Sequence, residues 1–224
     1  MLNLIRQIKY KKSNYEGGGL HQTRRLSTDQ NTLFKASQFK APRRLDFRDM
    51  CIQTSNQLKT PHCAGYSTAG MIEVKNWRSK HYPEQIDGDA IYTEAKKLDG
   101  NNTDGTSLDS AAQAAINLKL ITGDLKFVSN DVETIKFAVH SHDTFVAGFM
   151  ITEEWNMVNK KTGAIIDLGP NAEKRGGHAV LVCGYCPEGV YIQNSWGQNW
   201  GIWGFALIPW EKVSQQYMYG MVIV

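Results

Sequence analysis

Three short segments of this sequence carry side chains that could form and break covalent bonds. Cys63 follows Gln57 by six residues and stands where a helical pattern begins. His178 enters a run of strand-forming residues, and Asn194 follows another such run. A thiolate is a strong nucleophile, an imidazole can accept and return a proton, and an amide can orient the imidazole. These residue types favour nucleophilic catalysis by Cys63 with His178 as its base.

The position of Cys63 at a helix start bears on the charge of its thiol. A helix N-terminus stabilises negative charge, so we expect a lowered pKa and a thiolate near neutral pH. His62 is an alternative base because it adjoins Cys63 in sequence. Neighbours at a helix start point apart, however, and this favours His178.

The three segments resemble the motifs of the papain-like cysteine peptidases. Residues 191–205 are close to the family's Asn-Ser-Trp-Gly-x-x-Trp-Gly-x-x-Gly-aromatic run, and residues 176–185 are similar to its Asn-His-Ala-Val-x-x-Val-Gly-Tyr run. Residues 57–63 fit its Gln-x-x-x-x-x-Cys, and residues 45–48 look like its mature N-terminus. The resemblance spans residues 41–224. It implies a two-lobed α+β fold, with a helical N-terminal lobe, a β-rich C-terminal lobe and the active-site cleft between them.

The resemblance implies a role for each matching residue. Cys63 is the nucleophile that forms an acyl-enzyme, and His178 is the base that later protonates the leaving amine. Asn194 orients the His178 ring, and Trp196 covers the hydrogen bond between them. Gln57 donates to the oxyanion beside the backbone N–H of Cys63. The implied activity is hydrolysis of peptide bonds, with peptides or proteins as substrates.

Several departures from the family pattern point to its shortened bacterial or viral branch. The cysteine that usually precedes the nucleophile, and its disulfide, are absent. His178 and Asn194 follow Cys63 by 115 and 131 residues, whereas about 130–150 is usual. Residues 101–107 fall where relatives have a glycine-rich loop that binds the substrate backbone. The resemblance therefore assigns Gly105 to substrate binding. Gly177, before His178, is assigned to the substrate-binding wall, which favours an apolar substrate side chain.

The predicted elements change in character along the chain, from helices to short strands. This order is typical of an α+β protein with segregated lobes. The predicted helices are Cys63–Lys80, Ile91–Lys97, one capped by Ser107 or Asp109 and running to Leu118, and Asp131–His140. The predicted strands are Phe145–Ile151, Ala179–Cys183, Val190–Gln193, Phe205–Ile208 and Met221–Val224.

The first 44 residues differ from the body of the chain. Residues 1–44 carry ten Lys or Arg and two Asp or Glu, a net charge of +8, whereas residues 45–224 carry 15 and 20, a net −5. A solvated tail, an arm for nucleic acid or membrane, and a pro-segment are all open, and the charge run alone favours the tail. The resemblance implies an inhibitory pro-segment before a peptidase domain at 45–224. Residues 17–19, all glycine, suit a narrow crossing of the active site because they have no side chains.

Other patterns in the sequence favour structural interpretations. Cys183-x-x-Cys186 is half of a zinc pattern without a second pair, so Cys183 is expected in a strand and Cys186 in the following turn. His140 and His142 are expected at a helix end, and Trp200 and Trp203 in the core or the cleft wall. We therefore expect no metal and no cofactor.

Composition and the lengths of the apolar segments narrow the possible locations, partners and functions of the protein. With 42% hydrophobic and 21% charged residues the chain has an ordinary globular balance. The N-terminus lacks the apolar core of a secretory signal, and no segment is long enough to span a membrane, so an intracellular monomer is expected. No aromatic–basic motif supports nucleic-acid binding. A catalytically silent papain-like fold that serves as a binding module remains the alternative function.

Overall fold

The computed structural model describes residues 19–21, 39–52, 54–165, 167, 169 and 171–224. The α-helices of these residues are α1 Cys63–Lys80, α2 Gly88–Asp99, α3 Leu108–Asn117, α4 Val132–His142 and α5 Trp210–Gln216. The strands are β1 Leu45–Asp46, β2 Leu125–Val128, β3 Phe145–Thr152, β4 Lys174–Cys186, β5 Gly189–Gln193, β6 Phe205–Pro209 and β7 Tyr217–Ile223. Short 3₁₀ helices occupy Arg48–Met50 and Glu153–Asn156. None of the helices in the described ranges is long and apolar enough to cross a membrane.

One antiparallel sheet holds the second half of the chain together. Its strand order is β2-β7-β3-β4-β5-β6. Strand β4 is central: it pairs with β3 through residues 174–182 and with β5 through residues 181–186, and β1 joins it at Gly184 and Tyr185. This long strand therefore links the start of the folded body to both halves of the sheet.

Helices α1, α2 and α3 pack together, and α1 lies against β4. From Cys63 to Val74 nearly every α1 side chain is buried. A helix buried on all sides lies between two layers. One apolar core lies between the sheet and helices α4 and α5, and a second lies between the other face of the sheet and helices α1, α2 and α3.

Side-chain caps explain where three helices begin. Asp87 accepts the backbone N–H groups of Asp89 and Ala90, so α2 starts earlier than the predicted Ile91–Lys97. Ser107 caps α3, which confirms one of its two predicted caps, and Asp131 caps α4. The helix predicted from Cys63 to Lys80 is confirmed residue for residue.

One structural expectation was wrong, and for Trp203 one of two alternatives is excluded. Cys186 is the last residue of β4, not part of the following turn, because its pairing with Gly189 extends the strand. Trp203 is 73% exposed, so it is not part of the core, whereas Trp200 is buried as expected. Trp203 has a φ of 56°, in the left-handed region, and this turn directs its side chain away from the sheet.

Candidate active site

Cys63 is the first residue of α1 and is 1% exposed. It packs in an apolar cluster with Ala179 of β4 and with Leu20. The backbone N–H of Ala179 is placed to hydrogen-bond the Cys63 sulfur. Since Ala179 directly follows His178, the packing of α1 on β4 brings the predicted nucleophile to the strand that carries its predicted base.

His178 and Asn194 are joined by a buried hydrogen bond of 2.8 Å between Nε2 and Oδ1. The same oxygen accepts the backbone N–H of Ser195 at 2.8 Å. An amide oxygen can only accept, so Nε2 of His178 must donate. In the neutral ring this leaves Nδ1 as the free base. The His178 ring is therefore in the tautomer whose Nδ1 can accept a proton.

Two tryptophan rings flank the His178 imidazole. The Trp196 ring lies 4.7 Å from it, tilted by 32°. The Trp155 ring meets it edge-on at 6.2 Å, and its indole N–H is tied to Gln216. Both rings are buried and keep water from the hydrogen bond to Asn194.

Gln57 is buried and is held at both ends of its amide. Its Nε2 donates to the carbonyl of Thr60 at 2.7 Å, and its Oε1 accepts from the Ser195 hydroxyl at 2.5 Å. The backbone N–H of Gln57 also donates to the Ser195 carbonyl at 2.8 Å. These contacts fix the amide in the turn before Cys63 and tie this turn to the residue after Asn194.

A three-residue segment, Gly19–His21, lies across this site, and we call it the strap. The backbone of Thr106 donates to the Gly19 carbonyl and accepts from the His21 N–H, both at 3.0 Å. The Leu20 N–H donates to the Gly177 carbonyl at 3.2 Å. The strap therefore bridges the loop before α3 and strand β4, in a parallel pairing with Thr106.

The predicted substrate-binding glycines line the strap on its two sides. Gly105 has a φ of 86°, and a Cβ there would collide with the Gly19 carbonyl. A Cβ on Gly177 would lie 2.5 Å from the Leu20 carbonyl oxygen. Both positions thus need glycine for close backbone approach. Gly17 and Gly18, which were also expected at the crossing, lie outside the described residues.

The Leu20 side chain fills an apolar pocket and is 5% exposed. It lies against Gly148, where a Cβ would overlap it, and packs with Val146, Ala179 and Tyr219. The Tyr219 hydroxyl donates to the His21 carbonyl at 2.8 Å. These neighbours of Leu20 are apolar apart from the Tyr219 hydroxyl, and the assignment of Gly177 to a substrate-binding wall stays a prediction.

Burial under the strap changes the charge of the Cys63–His178 pair. Burial is the largest cause that raises the pKa of Cys63 from 9.0 to about 11, and hydrogen bonds from nearby backbone N–H groups offset only part of this rise. Burial also lowers the pKa of His178 from 6.5 to about 4, against the smaller effect of Asn194. Both groups are therefore neutral near pH 7. In the covered site, burial therefore favours the neutral thiol over the thiolate expected from the helix start.

These shifts set the pH range in which the covered fold is most stable. Relative to the unfolded chain, the folded His178 binds fewer protons between pH 6.5 and about 4, so stability is lost as the pH falls through this window. The folded Cys63 holds its proton between pH 9.0 and about 11, so stability is lost as the pH rises there. Between these two pH windows, neither His178 nor Cys63 lowers the free energy of unfolding.

The full chain is expected to show no Cys63 thiolate at neutral pH, and the signal should appear only as the pH approaches about 11. The measurement is the ultraviolet absorbance of thiolate, taken as the difference between the protein and its Cys63→Ser variant. Once the strap is removed, the thiolate should form at about pH 7 or below, as for thiols at helix starts beside a histidine. A Cys63 thiolate at neutral pH in the full chain would contradict the covered, neutral pair.

Several residues of the site were missed in the sequence. Leu20 and Thr106 meet through the strap, and Gly148 contacts Leu20, only when distant parts of the chain fold together, and none of the three belongs to a recognisable motif. Thr106 could have been found from the sequence, because it adjoins Gly105 in the polar loop. The described residues contain no group of three or more His, Cys, Asp or Glu side chains that could hold a metal ion. Cys51, Cys63, Cys183 and Cys186 are free thiols.

Comparison with known proteins identifies the class. The family model described as "Papain family cysteine protease" matches residues 85–221, more than half of the chain. The chain therefore belongs to the papain family of cysteine proteases, which are hydrolases. His178, Asn194, Trp196 and both site glycines lie in the matched range, whereas Cys63 and Gln57 precede it, and the catalytic roles of all of them stay predictions.

Two curated relatives match part of the chain. An uncharacterised peptidase C1-like protein of Acanthamoeba polyphaga mimivirus is 28% identical over 92 residues, or 40% of this chain and 30% of that protein. Pro-cathepsin H of Bos taurus is 34% identical over 87 residues, or 37% of this chain and 26% of that protein. The aligned part thus spans less than a third of the length of either relative.

Solved structures match over nearly the whole chain. Xylellain, a cysteine protease from Xylella fastidiosa, has a TM-score of 0.77 at 21% identity and covers 93% of this chain and 96% of its own. Procathepsin B S9 from Trypanosoma congolense has a TM-score of 0.70 at 15% identity, covering 93% and 86%. These likenesses confirm the predicted papain-like α+β fold.

Proposed function

We propose that this chain is a peptidase that cleaves peptide bonds through Cys63 and His178, and that residues 1–44 hold it as a zymogen. One observation supports this most: an extended segment of the chain lies over Cys63, with backbone hydrogen bonds to Thr106 on one side and to Gly177 on the other. A groove that binds extended backbone from both edges suits a peptide substrate of any sequence. The covering segment occupies the place where such a substrate would lie.

In the uncovered enzyme, Nδ1 of His178 takes the Cys63 proton and gives a thiolate–imidazolium pair. The sulfur attacks the carbonyl carbon of the peptide, and the oxyanion accepts hydrogen bonds from the Cys63 backbone N–H and the Gln57 amide. As the C–N bond breaks, His178 returns the proton to the leaving amine. Water, deprotonated by His178, then hydrolyses the thioester and releases the acid and the free thiol.

The Leu20 pocket gives the proposed substrate preference. It is lined by Val146, Gly148, Ala179 and Tyr219, which are apolar residues apart from the Tyr219 hydroxyl. A buried leucine side chain is stabilised there by about 1.5–3 kcal/mol relative to water. We therefore expect substrates with a leucine-like side chain at the position that this pocket binds.

Removal of residues 1–44 is expected to raise peptide cleavage strongly, because it uncovers Cys63 and restores the charged pair. The measurement is cleavage of a mixed peptide library by the full chain and by residues 45–224, read by mass spectrometry under reducing conditions. The cut sites also report the pocket preference. If folded 45–224 cleaves nothing between about pH 4 and 8, a catalytically silent, peptide-binding fold becomes the better interpretation.

A further inference from the structure

One face of helix α2 carries four polar residues that contact the segments on either side of the strap, and we call them the α2 stripe. They are Asp89, Tyr92, Lys96 and Asp99, spaced by three, four and three residues. This spacing puts them on one face of a helix. Each of them contacts either the loop 101–106 or the turn before Cys63.

Lys96 is the centre of the contacts to the loop. Its ammonium donates to Asn101 Oδ1 at 2.8 Å, to the Thr103 carbonyl at 2.8 Å and to the Gly105 carbonyl at 3.0 Å. These three bonds use all the donors of a lysine. Its distance to Asp99 is longer, at 3.7 Å, and its side chain is only 20% exposed. The bonds therefore hold the shape of the loop, and the ion pair is secondary.

Tyr92 and Asp99 hold the end of the loop that touches the strap. The Tyr92 hydroxyl accepts the backbone N–H of Gly105 at 3.0 Å. The Asp99 carboxylate accepts the hydroxyl of Thr106 at 2.5 Å, and the side chain of Thr106 is fully buried. With these groups fixed, the backbone N–H and carbonyl of Thr106 remain directed at the strap.

The other end of the α2 stripe reaches the turn that carries the nucleophile. The His62 ring stacks on the Tyr92 ring at 3.8 Å, and its Nδ1 lies 2.6 Å from the Asp89 carboxylate. His62 immediately precedes Cys63. Tyr92 therefore contacts both the turn before Cys63 and the loop 101–106, and fixes the distance between them.

We propose that the α2 stripe positions the Thr106 backbone relative to Cys63, and that Lys96 is the positioning residue on which the loop depends. This inference rests on the proposed function, because it assigns the Thr106 edge to substrate backbone. No cysteine lies in residues 101–106, so the loop has no covalent tether. Three bonds from one ammonium take the place of such a tether.

Loss of these bonds is expected to loosen the loop and the strap while the rest of the fold stays intact. In the full chain, Lys96→Met should raise amide hydrogen exchange about tenfold at Thr106, Leu20 and His21, because charge-assisted bonds of this kind are lost. Lys96→Arg, which keeps the charge but not all three bonds, should give a smaller rise. The control is Lys97→Met, since Lys97 pairs with Glu94 at the surface and is 68% exposed.

Two exchange results would overturn the proposal. One is unchanged exchange at Thr106 in Lys96→Met. The other is a rise spread over α1, α2 and α3 with a lower Tm, which would make Lys96 a general stabilising residue. A rise confined to the loop and the strap supports it.

A kinetic measurement separates this proposal from the peptidase assignment. It uses the full chain with the strap released by Leu20→Glu, with and without Lys96→Met. Lys96→Met should raise KM about tenfold and leave kcat within about twofold, because binding is lost and the Cys63–His178 pair is untouched. A fall in kcat alone would overturn the positioning role. If neither these forms nor residues 45–224 cleave peptide but local exchange still rises, the peptidase assignment fails and the role of Lys96 in holding the loop stands.

Discussion

Replacing Cys63 by alanine is expected to abolish peptide hydrolysis by residues 45–224. No acyl-enzyme can form without the sulfur, and removal of such a nucleophile lowers kcat by as much as about 10⁶-fold. His178→Ala should cost a similar factor, and the double variant should be no worse than either single one, because the two residues act as one unit. The measurement is the initial rate of cleavage of one peptide chosen from the library.

Cys51→Ala is the matched control for the nucleophile. Cys51 is also a free thiol, is partly exposed, and lies outside the site. It should keep the activity of the parent protein. Cys63→Ala should also remain folded, because it removes one buried sulfur from a helix that is otherwise unchanged. Cleavage that persists in folded Cys63→Ala would refute Cys63 as the nucleophile.

How much of the site could be predicted depended on how local its signals were. Cys63 was placed at a helix start because the pattern from 63 to 80 is continuous, and His178 and Asn194 stand in short runs whose spacing is characteristic. The hydrogen bond between His178 and Asn194 and the cover of Trp196 agree with the geometry expected of these motifs. The catalytic work of these residues stays a prediction.

The features of the site that the sequence did not show depend on contacts between distant parts of the chain. The segment that crosses the site could be placed near residue 19 by its glycines, but its pairing with Thr106 and Gly177 arises only when the chain folds. The rise in the pKa of Cys63 has the same origin, because it comes from burial of the thiol, which packs in one cluster with Leu20, and not from the helix start.

Two short elements were missed for a related reason. Strand β2 has only four residues and is recognisable mainly by its pairing with β7. Helix α5 carries Lys212, whose ammonium is buried because it pairs with Glu154 and Asp167 at 2.9 Å each. A buried lysine gives no apolar pattern in the sequence, so such a helix is found only from its partners.

Replacing Leu20 by glutamate is expected to activate the full chain without removal of any residue. The substitution removes the apolar burial of Leu20 and would place a carboxylate among the apolar side chains that surround it. Loss of the burial alone lowers the covered population by about 10–100-fold. The rate of peptide cleavage should rise by at least about tenfold and approach that of residues 45–224, while the Cys63 thiolate appears at a lower pH.

Leu118→Glu is the control for the Leu20 substitution, because Leu118 is 39% exposed beyond the end of α3 and a glutamate there remains in water. Leu118→Glu should leave the full chain as inactive as before. If residues 45–224 are active but Leu20→Glu is not, some other part of residues 1–44 closes the site, and the strap does not cause the inhibition. If Leu20→Glu activates the chain, one side chain in its pocket holds the covered state, and a substrate side chain of the same shape would compete with it directly.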